Sequence, residues 1–393
     1  MRSAIDTVLI VHLSRAWRTF HRRHMLLALA GALPRTAGMI CVDRPITFDV
    51  TPWKYPRKFW TGIWRMRPKC EQDDGLWIIT PRVLLHDLVA ARIPWSIQVN
   101  RRLLASQLAP AVRRLFPSAR NVVQWIYHPV QRWVFGALED TGRIYECYDD
   151  HSRLPLGAFD EAAWQSELET LRSVDLTFVT TQGLMQSRRL YSSRLELLPN
   201  GVADFFFAEM PQSPDTIDNV PRPRIGYLGN ARSIVNFEIL EEVFRRRSEW
   251  NLVFVGPVER WDAVRELKAL RNVHFLGTRP HEQIPGILRR FDAGLVPLRD
   301  NEFTRVMSTL KLCEYLAAGV PVVATDLPEL RRFVDVVRLA PCNALAFEDA
   351  IKETLLLDRS ALAPRLIEAA RPYSWNTICR QQVVPVLKEV FQI

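Results

Sequence analysis

Glycine is scarce in this chain, at 16 of 393 residues, and the shortage weakens two nucleotide-binding readings at once. The loop behind the first apolar run, His12-Leu13-Ser14-Arg15-Ala16-Trp17, contains none. A dinucleotide oxidoreductase therefore lacks the turn that lets backbone approach a pyrophosphate. No GxxxxGK[ST] segment occurs, which argues against a P-loop nucleotidase. The six cysteines are scattered, without a CxxC pair or a nearby histidine in metal spacing, so free thiols in a reducing compartment are expected. No window approaches the roughly 18 to 20 apolar residues of a spanning helix. The run from Met25 to Pro34 is too short, and it follows Arg22, Arg23 and His24 behind a strand-like Thr7 to Val11, unlike a signal-peptide core. A cytoplasmic chain is expected. Helix-turn-helix, zinc-finger and RNP-like patterns are also missing.

What is present is a globular composition: 48% hydrophobic and 24% charged residues, with a mean hydropathy of −0.06. The length suggests two or three domains. Net charge is +9, with a pI near 9.5, and the excess is local. Residues 1–130 hold 20 of the 52 Lys and Arg but 7 of the 43 Asp and Glu, whereas residues 201–393 hold 25 of each. Such a patch suits a polyanion, or an anionic membrane carrying the substrate, or is simply a solvated surface.

Short apolar runs alternate with amphipathic stretches: Thr7 to Val11, Met39 to Val42, Leu76 to Thr80, Asn121 to Tyr127, Arg143 to Tyr148 and Asp175 to Thr181. These read as buried parallel strands with crossover helices. The polar, turn-rich Gln212 to Pro221 reads as a linker. The pattern then restarts with Arg224 to Gly229, Asn251 to Val255, Val273 to Leu276, Ala293 to Pro297 and Val320 to Ala324. The expectation is an α/β protein of two doubly wound, Rossmann-like domains, residues 1–203 and 223–372, joined by a linker at 204–222. They would face a cleft at the carboxyl ends of their strands. Residues 373–393 read as a helix that can pack back across the domains.

The most informative segment runs from Ser308 to Val323, STLKLCEYLAAGVPVV. On a helix, Leu310, Leu312, Cys313, Leu316 and Ala317 share one side, and Lys311, Glu314 and Ala318 the other. Ser308 and Thr309 stand at its start, where free amides and the helix dipole favour a phosphate. This segment resembles the GT-B glycosyltransferases, most closely the bacterial enzymes of exopolysaccharide and cell-envelope assembly. Leu198-Pro199-Asn200-Gly201-Val202, Ile225-Gly226-Tyr227-Leu228-Gly229 and Phe291 to Leu298 are weaker matches to the same family, extending the resemblance from about Tyr145 to the C-terminus.

The resemblance implies a nucleotide-diphosphate sugar bound by the second domain and an acceptor held by the first. Glu314 would take the ribose hydroxyls, and Lys311, Ser308, Thr309, Gly229 and Arg232 would lie at the diphosphate. Thr278 and Arg279 would border the base. Taken without the family, Lys311 and Glu314 form a plain i, i+3 pair. The strand end Tyr145 to Ser152 resembles the aspartate-bearing strand end of envelope-polysaccharide transferases, which makes Asp149 the expected base, with Asp150 or His151 as alternatives. The plain reading of these acids is a helix cap. Retaining members often carry a second glutamate eight residues before the first. Val306 stands there, which leaves the stereochemistry open. Trp17, Arg22 and Arg23 would serve a polyprenyl-linked or glycan acceptor at the inner membrane face, or form a solvated basic helix. No metal or other cofactor is expected, and no nucleic-acid partner. The rivals are a sugar-nucleotide epimerase of the same fold and a basic nucleic-acid-binding protein.

Overall fold

The computed structural model describes residues 5–49, 68–90, 93–208, 217–259 and 261–393. Half of the linker read at Gln212 to Pro221, residues 212–216, lies outside them. Two large sheets organise the chain.

The first sheet has eight strands, in the order Leu195–Leu197, Leu176–Val179, Gly142–Cys147, Asn121–Ile126, Thr7–His12, Ala37–Val42, Leu76–Thr80 and Lys69–Asp73. All pair in parallel except the last, which runs antiparallel on the edge. Its central strand shows why the apolar run is unbroken. Leu9 and Val11 enter one core while Val8 and Ile10 enter another, so both faces are covered. The second sheet has six parallel strands, in the order Val273–Phe275, Asn251–Val255, Arg224–Leu228, Ala293–Val296, Val322–Thr325 and Val337–Ala340, around a third core.

The chain passes between the sheets at Leu198 to Phe207 and returns at Ser374. The two crossings touch: Val202 N–H donates to the Tyr373 carbonyl at 2.8 Å, and Trp375 N–H to the Val202 carbonyl at 3.0 Å. A final helix, Trp375 to Phe391, interrupted by a π turn at Cys379–Val383, then lies on the first sheet. Trp375, Ile378, Cys379, Val383 and Leu387 belong to the same core as Leu9 and Val11. At its far end Phe391 fills the space over Gly142, where a Cβ would come within 2.4 Å of the ring. Glu389 accepts two bonds from Arg194, each 2.8 Å.

Beneath this helix Arg22 is wholly buried. Its Nε lies 2.6 Å from Glu146 Oε1, its Nη1 donates to Asn200 Oδ1 at 2.5 Å, and its guanidinium covers the Trp375 ring at 5.1 Å. Burial raises the Glu146 carboxyl, against the attraction of Arg22.

Removing one member of a buried pair leaves the other charge stranded. Arg22→Ala should therefore destabilise the protein by about 3–5 kcal/mol in urea titration, whereas Arg22→Met combined with Glu146→Leu recovers most of the loss.

Candidate functional site

The helix carrying the Ser308–Val323 motif spans Leu310–Ala317. Tyr315, which the helical reading placed on neither side, fixes it. Its hydroxyl donates to the Gly226 carbonyl at 3.1 Å and accepts from Leu228 N–H at 2.6 Å. The helix is thereby tied to the first strand of its own domain, and Lys311 is carried to the end of that strand.

There the chain turns at Gly229 (φ +124°), beside Gly256 (φ +136°), where a Cβ would sit 2.2 Å from the Gly229 carbonyl oxygen. A Cβ at Gly229 would lie 2.9 Å from Lys311 Nζ. The bare backbone leaves that space to the ammonium, which donates to the Tyr227 hydroxyl at 2.9 Å and lies 4.4 Å from its ring centre. Lys311 thus turns to Tyr227, and the plain i, i+3 ion pair with Glu314 is not formed.

At the start of the helix no side chain caps the amides. The Ser308 and Thr309 hydroxyls are buried there without a hydrogen-bond partner. Free amides, two unpartnered hydroxyls and a cation one residue into the helix form a site for an anion.

Across from this group is the strand end that follows Cys147. Asp149 is half-buried there. Burial raises its carboxyl to about 6, against the pull of Arg232 first and then Arg22 and Arg15. Arg232, from the loop after Gly229, is thus the charge of the second sheet that Asp149 feels most.

The two alternatives are occupied differently. Asp150 is held by Arg188, 2.6 Å away, and by Ser152. Burial pushes its carboxyl up, but Arg188 and the Ser152 bonds outweigh that and leave it below its ordinary value. Arg188 also grips buried Glu167 at 3.1 Å, so Asp150 belongs to an internal ion-pair network. His151 packs between His128, ring centres 4.4 Å apart, and Tyr148 at 5.1 Å. Burial, with Arg188, lowers it to about 4, and it is uncharged at neutral pH.

The expected acceptor-side cluster is corrected. Trp17 is 3% exposed and donates from Nε1 to Asp73 at 2.6 Å. Arg22 is the buried link described above. Arg23 pairs with Asp73 and Asp74, each at 3.2 Å. Trp17 and Arg22 are thus buried inside the fold, while Arg23 meets two acids at the surface.

Thr278 is exposed and Arg279 half-buried, in the loop after Val273–Phe275. Two residues beyond Arg279 comes His281, which sequence reasoning passed over. Its Nε2 lies 3.0 Å from Glu314 Oε1, and its Nδ1 lies 3.0 Å from Nε2 of His24 on the first domain. A lone histidine in a loop carries no sequence signal, because its partners lie 33 and 257 residues away. Among the described residues, no group of three or more His, Cys, Asp and Glu side chains is arranged to hold a metal ion.

Residues 222–356 match the family model for glycosyl transferases group 1. Over 139 residues the chain is 30% identical to the TuaH protein of Bacillus subtilis, named for glycosyl transfer in teichuronic acid biosynthesis. That match covers 34% of this chain and about a third, 35%, of TuaH. Solved structures align along nearly the whole chain. Sucrose-phosphate synthase from Thermosynechococcus elongatus superposes with a TM-score of 0.69 at 16% identity, covering 98% of this chain and 99% of that one. A trehalose-6-phosphate protein from E. coli, bound with UDP-2-fluoro glucose, gives 0.70 at 13%, covering 99% of each. HepE of Anabaena, in complex with UDP and glucose, gives 0.65 at 13%, covering 96% and 99%. The fold is GT-B.

The raised Asp149 carboxyl has a consequence for stability. Its folded value, about 6, exceeds the ordinary 3.8, so its ionisation costs stability as pH rises between those values and the cost is complete above 6. Asp149→Asn removes that cost. In thermal melts the variant should gain on the parent from pH 4 to 7.5, with the difference levelling off above pH 7.

Proposed function

We propose, from the match of residues 222–356 to the group 1 glycosyl transferases and a chain with the GT-B fold throughout, that this protein is a glycosyltransferase. It moves a sugar from a nucleoside-diphosphate donor on the second domain to an acceptor hydroxyl held against the first. The observation that carries this reading is the opposition of Asp149, at the carboxyl end of one sheet, to Arg232 and the Lys311 helix start at the carboxyl end of the other.

Each group then has a task. The Glu314 carboxylate accepts hydrogen bonds from the ribose hydroxyls. The free amides before Leu310, the Ser308 and Thr309 hydroxyls and the Lys311 ammonium receive the diphosphate. Asp149 takes the proton of the acceptor hydroxyl while its oxygen forms the new bond to the anomeric carbon. As that bond forms, the bond from the anomeric carbon to the diphosphate oxygen breaks. Charge gathers on that oxygen, and Arg232 stabilises it. The transfer is read as inverting the anomeric centre, because Asp149 is the single base assigned to it and Val306 stands where a second glutamate would. The Val306 side chain packs between the domains: a Cβ on Gly183 would come within 2.8 Å of its Cγ1, and its carbonyl accepts from Thr181 Oγ1 at 2.8 Å.

The acceptor is read as a polyprenyl-linked or growing envelope glycan at an anionic membrane. Trp17, Arg22 and Arg23 no longer bear on this, and the helix Pro94–Leu115 replaces them. No acid occurs from residue 88 to residue 138. Trp95 is 63% exposed near the start of the helix, and Arg102, Arg113 and Arg114 are exposed along it. A tryptophan beside unpaired-sign cations suits a lipid surface. No helix among the described residues is long and apolar enough to cross a membrane.

A thermal-shift screen with UDP-, ADP-, GDP- and dTDP-sugars should show stabilisation by one of them. With that donor and a lipid-linked glycan acceptor, Asp149→Asn should lower turnover about 10²-fold or more while nucleotide affinity is kept. Its parent should lose activity on the acid side, with a midpoint near the carboxyl's value of about 6. Conversion of the donor to its epimer without acceptor would refute the transferase reading. Vesicles containing phosphatidylglycerol should retain the protein, with weaker retention for Trp95→Ala and little on neutral phosphatidylcholine.

A further inference from the structure

The imidazole pair between the domains is not used by the mechanism above. Glu314 Oε1, His281 Nε2, His281 Nδ1 and His24 Nε2 form a chain of two contacts, each 3.0 Å. It runs from the donor side of the cleft to the first helix of the opposite domain, Arg23–Ala32. Phe205, from the crossing between the domains, packs at 5.3 Å from both imidazoles, and Phe206 at 5.2 Å from His281. The pair therefore rests on the segment about which the domains must move.

Proton counting fixes the first contact of the chain. A carboxylate only accepts, so His281 Nε2 carries a hydrogen. At the second contact the hydrogen lies between His281 Nδ1 and His24 Nε2, one imidazole donating and the other accepting. His24 is suited to this, because burial, with His281 and Arg23 nearby, lowers it to about 4 and keeps it uncharged. Glu314 remains partly exposed, its side chain at 16%. One carboxylate oxygen is gripped by His281 while the group still faces the cleft.

We propose that His281 is a positioning residue: it fixes the Glu314 carboxylate for the donor's ribose and, through His24, makes that fixing depend on the first domain standing closed over the second. This rests on the reading of Glu314 as the ribose residue. Donor affinity and domain closure are then linked, because opening the cleft breaks the His24 contact and frees the His281 ring to turn.

The test is calorimetry with UDP, or with ADP, GDP or dTDP if the screen selects that base, together with donor KM and kcat. His281→Ala should weaken nucleotide binding about tenfold and raise donor KM, with kcat at saturating donor nearly kept. His24→Ala, which touches no donor group, should act in the same direction and less. The double variant should be no weaker than His281→Ala alone, since both act through one chain. His281→Gln keeps an amide N–H for Glu314, so it should restore most of the affinity and make it insensitive to His24→Ala.

Nucleotide affinity within twofold of the parent in His281→Ala, with Glu314→Ala clearly weakened, would overturn the proposal. So would additive losses in the double variant. If Glu314→Ala itself binds normally, the ribose reading fails and the proposal falls with it, a failure recognisable because it appears in that variant first.

Discussion

The buried guanidinium of Arg22 is the constraint on which the two halves of the molecule depend. A charge without water must be met on every side, and its partners come from different parts of the chain. Glu146 belongs to the strand that ends two residues before the proposed base. Asn200 belongs to the crossing between the domains, and Trp375 to the return crossing. Asn200 then passes the link onward, donating from Nδ2 to the Ser308 carbonyl at 3.1 Å. One internal charge thus sets where the strand end of Asp149, the crossing segment and the start of the Leu310–Ala317 helix stand relative to one another. Through-space attraction from the same group also holds down the Asp149 carboxyl that burial raises.

The charge excess of the first 130 residues takes on a different meaning once pairing is known. Arg22 and Arg23 contribute to the count, yet Arg22 meets buried Glu146 and Arg23 meets Asp73 and Asp74 at the surface. Cations that reach solvent without an acid beside them in sequence gather on the long helix beginning near Trp95. Net charge told where the basic residues were, and burial decides which of them another molecule can feel. A lysine-free surface of arginines next to an exposed indole also fits phosphate and aromatic stacking better than diffuse steering.

Much of the fold was legible in the sequence because parallel strands covered on both faces are written as continuous apolar runs. Leu76 to Thr80 and Asn251 to Val255 coincide with observed strands to the residue. The strands that went unread lie at sheet edges. Lys69–Asp73 is polar because it is half-exposed, and Leu195–Leu197 and Val337–Ala340 are short. At the site, Lys311 and Glu314 stood out through local spacing and family likeness. Their actual neighbours, Tyr227 and His281, did not, since contacts between distant segments leave no period to detect. Trp17 and Arg22 misled for the same reason: a cluster of cations looks identical in sequence whether it meets lipid or, 178 residues along the chain at Asn200, another part of itself.

The two adjacent crossings between the domains carry a mechanical consequence. A single strand of chain would be a swivel, free to twist as well as bend. Val202 and Ser374, bridged side by side, act as an axle instead, and the terminal helix bolted to the first sheet by Phe391 and Glu389 keeps the second pin from sliding. Rotation about that axle is the easy motion. Each time the molecule shuts, the same residues return to face each other, so alignment of the reacting groups is carried by the hinge and need not be found anew by the substrates.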